Sequence, residues 1–187
     1  MTGHSISTTA LTGITAQQAS QRTFVALMED RPGVLNRVVS LLRRRNFNIV
    51  SLSVGRTHEP GVSRMTVVIE ASPDTGRRIE AHLYKLVNIL RVDDITESPR
   101  IDRVLALIKV SVGADQRGEV VQISELFRAR VVDVAADSLV VEITGTRDKV
   151  DGLTGMLAPF GIDEMVQTGC VAMTRGPASA PNAHNTL

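Results

Sequence analysis

The chain has 187 residues, 43% of them hydrophobic, enough for two small domains or one of medium size and too apolar for a disordered polypeptide. Lys and Arg number 21 against 20 Asp and Glu, leaving a formal charge of +1, so no whole-chain field gathers phosphate backbones or anionic lipid. Aromatic residues at 3% leave few stacking platforms for single-stranded nucleic acid, and the lone Cys170 supplies neither an internal disulfide nor a thiolate metal cluster, which points to a reducing compartment.

Residues 1–21 are rich in Ser, Thr, Gly and Gln, with no basic start and no continuous apolar stretch, and are expected to form a disordered tail rather than a targeting segment. No apolar run approaches the roughly 18 residues of a membrane span, so a cytoplasmic protein without membrane contact is expected. Thr23 to Met28 reads as a strand, stopped by Glu29-Asp30-Arg31-Pro32-Gly33. Val34, Leu35, Val38, Val39, Leu41 and Leu42 then recur at helical spacing with Arg37, Arg43 and Arg44 opposite, which predicts an amphipathic helix ending near Asn46. The three consecutive arginines Arg43 to Arg45 suit the negative end of its dipole. Alternation over Asn48 to Val54 predicts a second strand, Gly55 to Gly61 a turn, and Arg64 to Glu70 a third strand. A second helix opens at Pro73-Asp74 with the stripe Ile79, Leu83, Leu86 and Val87, and Asn88 to Thr96 returns as a strand before a Ser98-Pro99 linker.

The series then repeats: a strand over Val104 to Val110, a helix within Asp115 to Ala129, strands at Arg130 to Ala135 and Ser138 to Thr144, a helix from Arg147 to about Ala158, and a last strand over Asp163 to Met173. Two βαββαβ units predict an α+β fold of tandem ferredoxin-like domains, with helices on one face of each antiparallel sheet. The expected divisions are a disordered tail at 1–21, a first domain at 22–97, a linker at 98–103, a second domain at 104–175 and a disordered tail at 176–187. In the usual strand order 4-1-3-2, the second strand lies at an edge, and Asn48 to Val54 carries no Lys or Pro to guard it. A domain of this size is marginal alone, so a homodimer paired through that edge is expected.

Glu29 to Leu35 is the most site-like stretch. A helix start offers unpaired N–H groups to a carboxylate, Gly33 lets a ligand approach the backbone, and Pro32 is tolerated in a first turn. Asp30 is placed either to cap the helix or to accept a bond from a ligand ammonium, and the same residues also suit an ordinary capped turn. Asn48 offers a donor and an acceptor at the start of the edge strand, or simply begins it. His58 and His82 lack ligand-spaced neighbours, adjacent Asp93 and Asp94 point to opposite strand faces, and Cys170 reads as packing. No phosphate loop, paired catalytic carboxylates or nucleophile elbow appears.

The stretch FVALMEDRPGVLNRVVSLLRRRNFNI (Phe24 to Ile49) resembles the start of an ACT domain. Together with NIVSLSVGRTHEPGVSRMTVVI (Asn48 to Ile69), LYKLVNILRVDDIT (Leu83 to Thr96) and ELFRARVVDV (Glu125 to Val134), it is similar to the small, regulatory subunits of acetolactate synthase across about residues 22–175. The resemblance implies a non-catalytic ACT homodimer that activates a separate catalytic subunit and carries feedback inhibition by valine, leucine or isoleucine in branched-chain amino-acid biosynthesis. It assigns effector binding to Asp30, Gly33, Val34, Leu35 and Asn48, with Ile49 and Val50 close by. It places thiamine diphosphate, Mg²⁺ and FAD in the catalytic partner and no metal or cofactor in this chain. The chain departs from the family pattern at Asp30, often Asn, and at Asn36, often a small hydroxyl residue; backbone contacts at Gly33 to Leu35 survive both changes. The rival readings are a free-standing enzyme on a ferredoxin-like scaffold and another ACT-type amino-acid sensor; no segment remains for a DNA-reading helix-turn-helix.

Overall fold

A computed structural model describes residues 20–176, so the predicted tails lie outside the described residues apart from Gly176 and from Ser20 and Gln21, which already belong to the first strand. The first unit runs β1 (Ser20–Glu29), α1 (Val34–Arg44), β2 (Ile49–Arg56), β3 (Val62–Ala71), α2 (Pro73–Leu83) and β4 (Ile89–Asp94). The second runs β5 (Arg100–Ser111), α3 (Arg117–Leu126), β6 (Arg130–Val134), β7 (Ser138–Gly145), α4 (Arg147–Leu157), β8 (Ile162–Gln167) and β9 (Val171–Thr174). The sheets are ordered β2-β3-β1-β4 and β6-β7-β5-β8, all antiparallel, with β9 added to β5. This is the tandem βαββαβ architecture, with β2 at a sheet edge as expected.

Alternation decides which side chains meet the helices. Phe24, Ala26 and Met28 of β1 and Met65, Val67 and Ile69 of β3 face Val38 and Leu42 of α1 and Ile79 and Leu83 of α2 in one buried cluster. In the second unit Ala106, Ile108 and Val110, with Leu139, Val141 and Ile143, meet Val120, Val150, Leu153 and Leu157. Each of these larger side chains contributes on the order of 1.5–3 kcal/mol by burial. The predicted helical stripe overran: α2 stops at Leu83, and Val87 is 90% exposed, because the chain must turn there to bring Ile89 back into the sheet.

The opposite face of the first sheet is covered as well. Thr23, Val25, Thr66 and Val68 are buried, and Val25 packs with Ile95, Ala172 and Cys170. The cover comes from the far end of the chain, where the predicted single strand over Asp163 to Met173 is in fact two. β8 pairs with Ala106 to Val110, the chain steps off at Thr168-Gly169-Cys170, and β9 pairs with Arg100 to Arg103 of the same long strand. Four of the residues expected as a linker therefore lie in β5. The step docks on the first unit: the Cys170 amide donates to Ser51 Oγ at 2.7 Å, and Arg64 Nη2 donates to the Ala172 carbonyl at 2.7 Å. Among the described residues no helix is long and apolar enough to cross a membrane.

Candidate functional site

The β1–α1 loop is built around Gly33, which sits at the helix N-cap with φ of 84°, a left-handed conformation that a Cβ disfavours. No side chain caps α1, so Asp30 does not play the capping role offered for it. Instead its amide donates to the Gly61 carbonyl at 2.8 Å, and its carboxylate pairs with Arg56 Nε at 3.1 Å across the end of β2. The Arg37 amide returns to the Gly33 carbonyl at 3.1 Å, while no described hydrogen bond uses the amides of Leu35 or Asn36. Those donors and the positive dipole end favour an anionic group at this loop, where the Arg56 charge is already matched by Asp30. Val34 is buried under it in the core, and Leu35 is exposed at its rim.

The remaining predicted residues lie elsewhere. Asn48 Nδ2 donates to Glu70 Oε2 at 2.8 Å, at the end where β2 begins and β3 finishes. Asp30 and Arg56 stand where β2 finishes and β3 begins. Eight residues of β2 separate the two places, a span of about 23 Å at strand rise. Ile49 packs against the helix-side core, whereas Val50 faces the other way and lines a cleft of about 300 Å³ between the two units. So the structure groups Asp30, Gly33, Val34 and Leu35, and places Asn48, Ile49 and Val50 at the opposite end of the same edge strand. Arg56 and Glu70 escaped the sequence reading because their partners are set by strand register, which no local spacing encodes.

Cys170 sits half-buried in the interdomain junction. Burial pushes its thiol above the ordinary cysteine range, and the neighbouring Asp102 charge adds to the rise. Only the thiolate alkylates readily, so iodoacetamide is expected to react more slowly with Cys170 than with free cysteine at neutral pH and to catch up as pH rises. A pH series of alkylation followed by mass spectrometry reads this directly; reaction as fast as free cysteine at neutral pH would contradict it. Among the described residues no group of three or more His, Cys, Asp or Glu is arranged to hold a metal ion.

A sheet in the order 2-3-1-4 with two helices on one face and an uncapped helix entered through Asp-Arg-Pro-Gly, followed by a second ferredoxin-like unit, define a two-unit protein whose first unit is of the ACT type. Residues 24–91 match the family model for the acetohydroxyacid synthase small subunit-like ACT domain, and residues 103–176 match the model for the small subunit of acetolactate synthase. The chain is 45% identical over 155 residues to the acetolactate synthase small subunit of Mycolicibacterium smegmatis, covering 83% of this chain and 91% of that one. It is 44% identical over 156 residues to a probable acetolactate synthase small subunit of Archaeoglobus fulgidus, covering 83% and 98%. The crystal structure of the small subunit from Thermotoga maritima superposes with a TM-score of 0.78 at 35% identity, covering 85% of this chain and 99% of that one. The chain belongs to the family of acetolactate synthase small subunits, which are regulatory and not catalytic, and whose partner is a separate catalytic subunit.

Proposed function

We propose that this chain activates the acetolactate synthase catalytic subunit in the cytoplasm and confers feedback inhibition by a branched-chain amino acid, bound between the ACT domains of a homodimer. The supporting observation is the position of the predicted residues at opposite ends of edge strand β2. Within one chain Asn48 cannot share a small ligand with the Gly33 loop. Antiparallel pairing of two β2 strands about a two-fold axis carries the Asn48 end of one protomer to the Asp30 and Arg56 end of its partner. The ligand carboxylate then meets the amides at the start of α1, and its ammonium meets Asn48 or Asp30. Val54 to Arg56 of β2 are exposed and available for pairing, while Ile49 to Ser53 are half-buried.

A ligand that bridges two chains favours one arrangement of the dimer over another, and a differential affinity worth ~1–3 kcal/mol is enough for regulation. In this reading thiamine diphosphate, Mg²⁺ and FAD belong to the catalytic partner. Reconstitution with that subunit tests it. The chain alone is expected to form no acetolactate from pyruvate, to raise the partner's rate on mixing, and to lower it again when valine, leucine or isoleucine is added. Sedimentation is expected to give a dimer; a monomer at micromolar concentration, or a partner rate indifferent to the chain, would overturn the proposal.

A further inference from the structure

We propose that the open face of the second sheet is a contact between two copies of this chain, the second half of a dimer interface that begins at edge strand β2. The inference rests on the homodimer proposed above and names the surface that completes it.

The two units treat their open faces differently. On the first sheet Val25 is covered by Ala172 and Cys170. In β5 the side chains of Val104, Ala106, Ile108 and Val110 point to the helices and are at most 4% exposed, so Ile101, Leu105 and Leu107 point the other way. Strand register sets Met173 beside Ile101, Val171 beside Arg103 and Val166 beside Leu107 on that same side. Val166, Val171 and Met173 are 57%, 51% and 62% exposed, and Ile101 and Leu105 are each 37% exposed. An antiparallel sheet that faces water carries polar residues on that side. Here the side is a continuous apolar band, closed at its far end by the cross-strand pair Lys109 and Glu164. An apolar centre with a charged rim is the anatomy of a protein interface.

The band begins beside β2. Val166 and Val171 flank the step Thr168-Gly169-Cys170, and that step rests on β2: the Cys170 amide donates to Ser51 Oγ at 2.7 Å, and a Cβ on Gly169 would stand 2.2 Å from the Leu52 carbonyl oxygen. Two β2 strands paired about a two-fold axis therefore bring the two steps, and the bands that start from them, to that axis. Area asks for the same contact. Pairing along the eight residues of β2 buries a strip about 27 Å long and ~10 Å deep, roughly 270 Å² per copy and about a third of the ~800 Å² per partner of a standard interface. The band, running along β5 from Ile101 to Lys109 and three strands wide, adds ~400 Å² per copy. Edge and face together fall within the standard range, and the edge alone does not.

Sedimentation equilibrium of the full chain tests this with Val166→Glu and Met173→Glu, both at positions more than half exposed, where folding tolerates a charge. Each is expected to keep its thermal transition and to raise the dimer dissociation constant on the order of tenfold or more. Val87→Glu, 90% exposed past the end of α2 and outside the band, is expected to leave that constant unchanged; equal weakening by this variant would overturn the assignment as an effect of added charge alone. Val54→Lys, which guards the β2 edge against pairing, separates the two contacts. A dimer weakened by Val54→Lys and indifferent to both band variants overturns the face and leaves the edge standing; the reverse upholds the face and overturns the edge. A monomeric parent chain overturns both. Band variants that keep the dimer but no longer raise the rate of the catalytic subunit assign the face to that partner and overturn the proposal.

Discussion

Replacing Gly169 with alanine is expected to loosen the two units from one another. A Cβ at this position would lie 2.2 Å from the Leu52 carbonyl oxygen and 2.6 Å from its carbon, both backbone atoms of β2 that no side-chain rotation can move aside. The step between β8 and β9 must therefore lift away from β2. Lifting it breaks the Cys170 to Ser51 hydrogen bond and opens the contact of Ala172 with Val25 and Ile95. The combined cost is about 2–4 kcal/mol from overpacking and the lost bond, a large fraction of the stability of a domain this size. Differential scanning calorimetry of the Gly169→Ala chain is expected to show a lowered transition that splits in two, since each sheet keeps its own helix-side core. A single transition at the parent temperature would show that the junction contributes nothing to stability.

In the reconstituted enzyme, Gly33→Asp is expected to raise the valine concentration needed for half-inhibition by tenfold or more while leaving the chain folded. Nothing lies within 4 Å of a Cβ at Gly33, so no neighbour clashes with the new side chain, and the only steric cost is that of the left-handed backbone, which Asp bears more easily than most residues. The new carboxylate stands at the helix start where the effector carboxylate is proposed to bind, and losing a charge-assisted interaction of ~1.4 kcal/mol or more corresponds to that tenfold change. Gly33→Ala separates charge from strain: it keeps the space but pays the left-handed backbone cost of roughly 1–2 kcal/mol, so stability falls while valine response is largely kept. Asn48→Ala should relieve inhibition too, from the other end of β2, and because Asn48 is exposed its effect on the melting temperature stays small. Unchanged valine response in both Gly33→Asp and Asn48→Ala would remove the dimer-interface effector site from consideration.

Much of the fold is legible locally. The period of Val34, Val38 and Leu42 marks α1, and the pair Ser72-Pro73 marks the start of α2, where Ser72 Oγ accepts from the Thr75 amide at 3.3 Å. Gly33 announces its own left-handed turn. Other features have no local signature. Arg100 to Arg103 alternates charge and apolarity weakly and reads as a link, yet it is a strand because Val171 to Thr174 returns to pair with it. The break at Thr168-Gly169-Cys170 carries no proline and lies between Met165-Val166 and Val171-Ala172-Met173, so the last strand reads as continuous. Its division follows from the length of β5, which offers one partner segment to β8 and another to β9.

The sequence by itself determined the two βαββαβ units, the helix-facing cores, the edge position of β2 and the loop at Gly33, because periodicity, turn residues and composition act over a few neighbours in the chain. Only the tertiary structure decided that Asp30 pairs with Arg56 rather than capping α1, that Asn48 bonds Glu70 at the far end of the strand, and that the C-terminal step closes the open face of the first sheet. Each of those contacts joins segments whose meeting depends on strand register and on the packing of one unit against the other. Register and packing are set by the sum of the core, and no single stretch of residues encodes them.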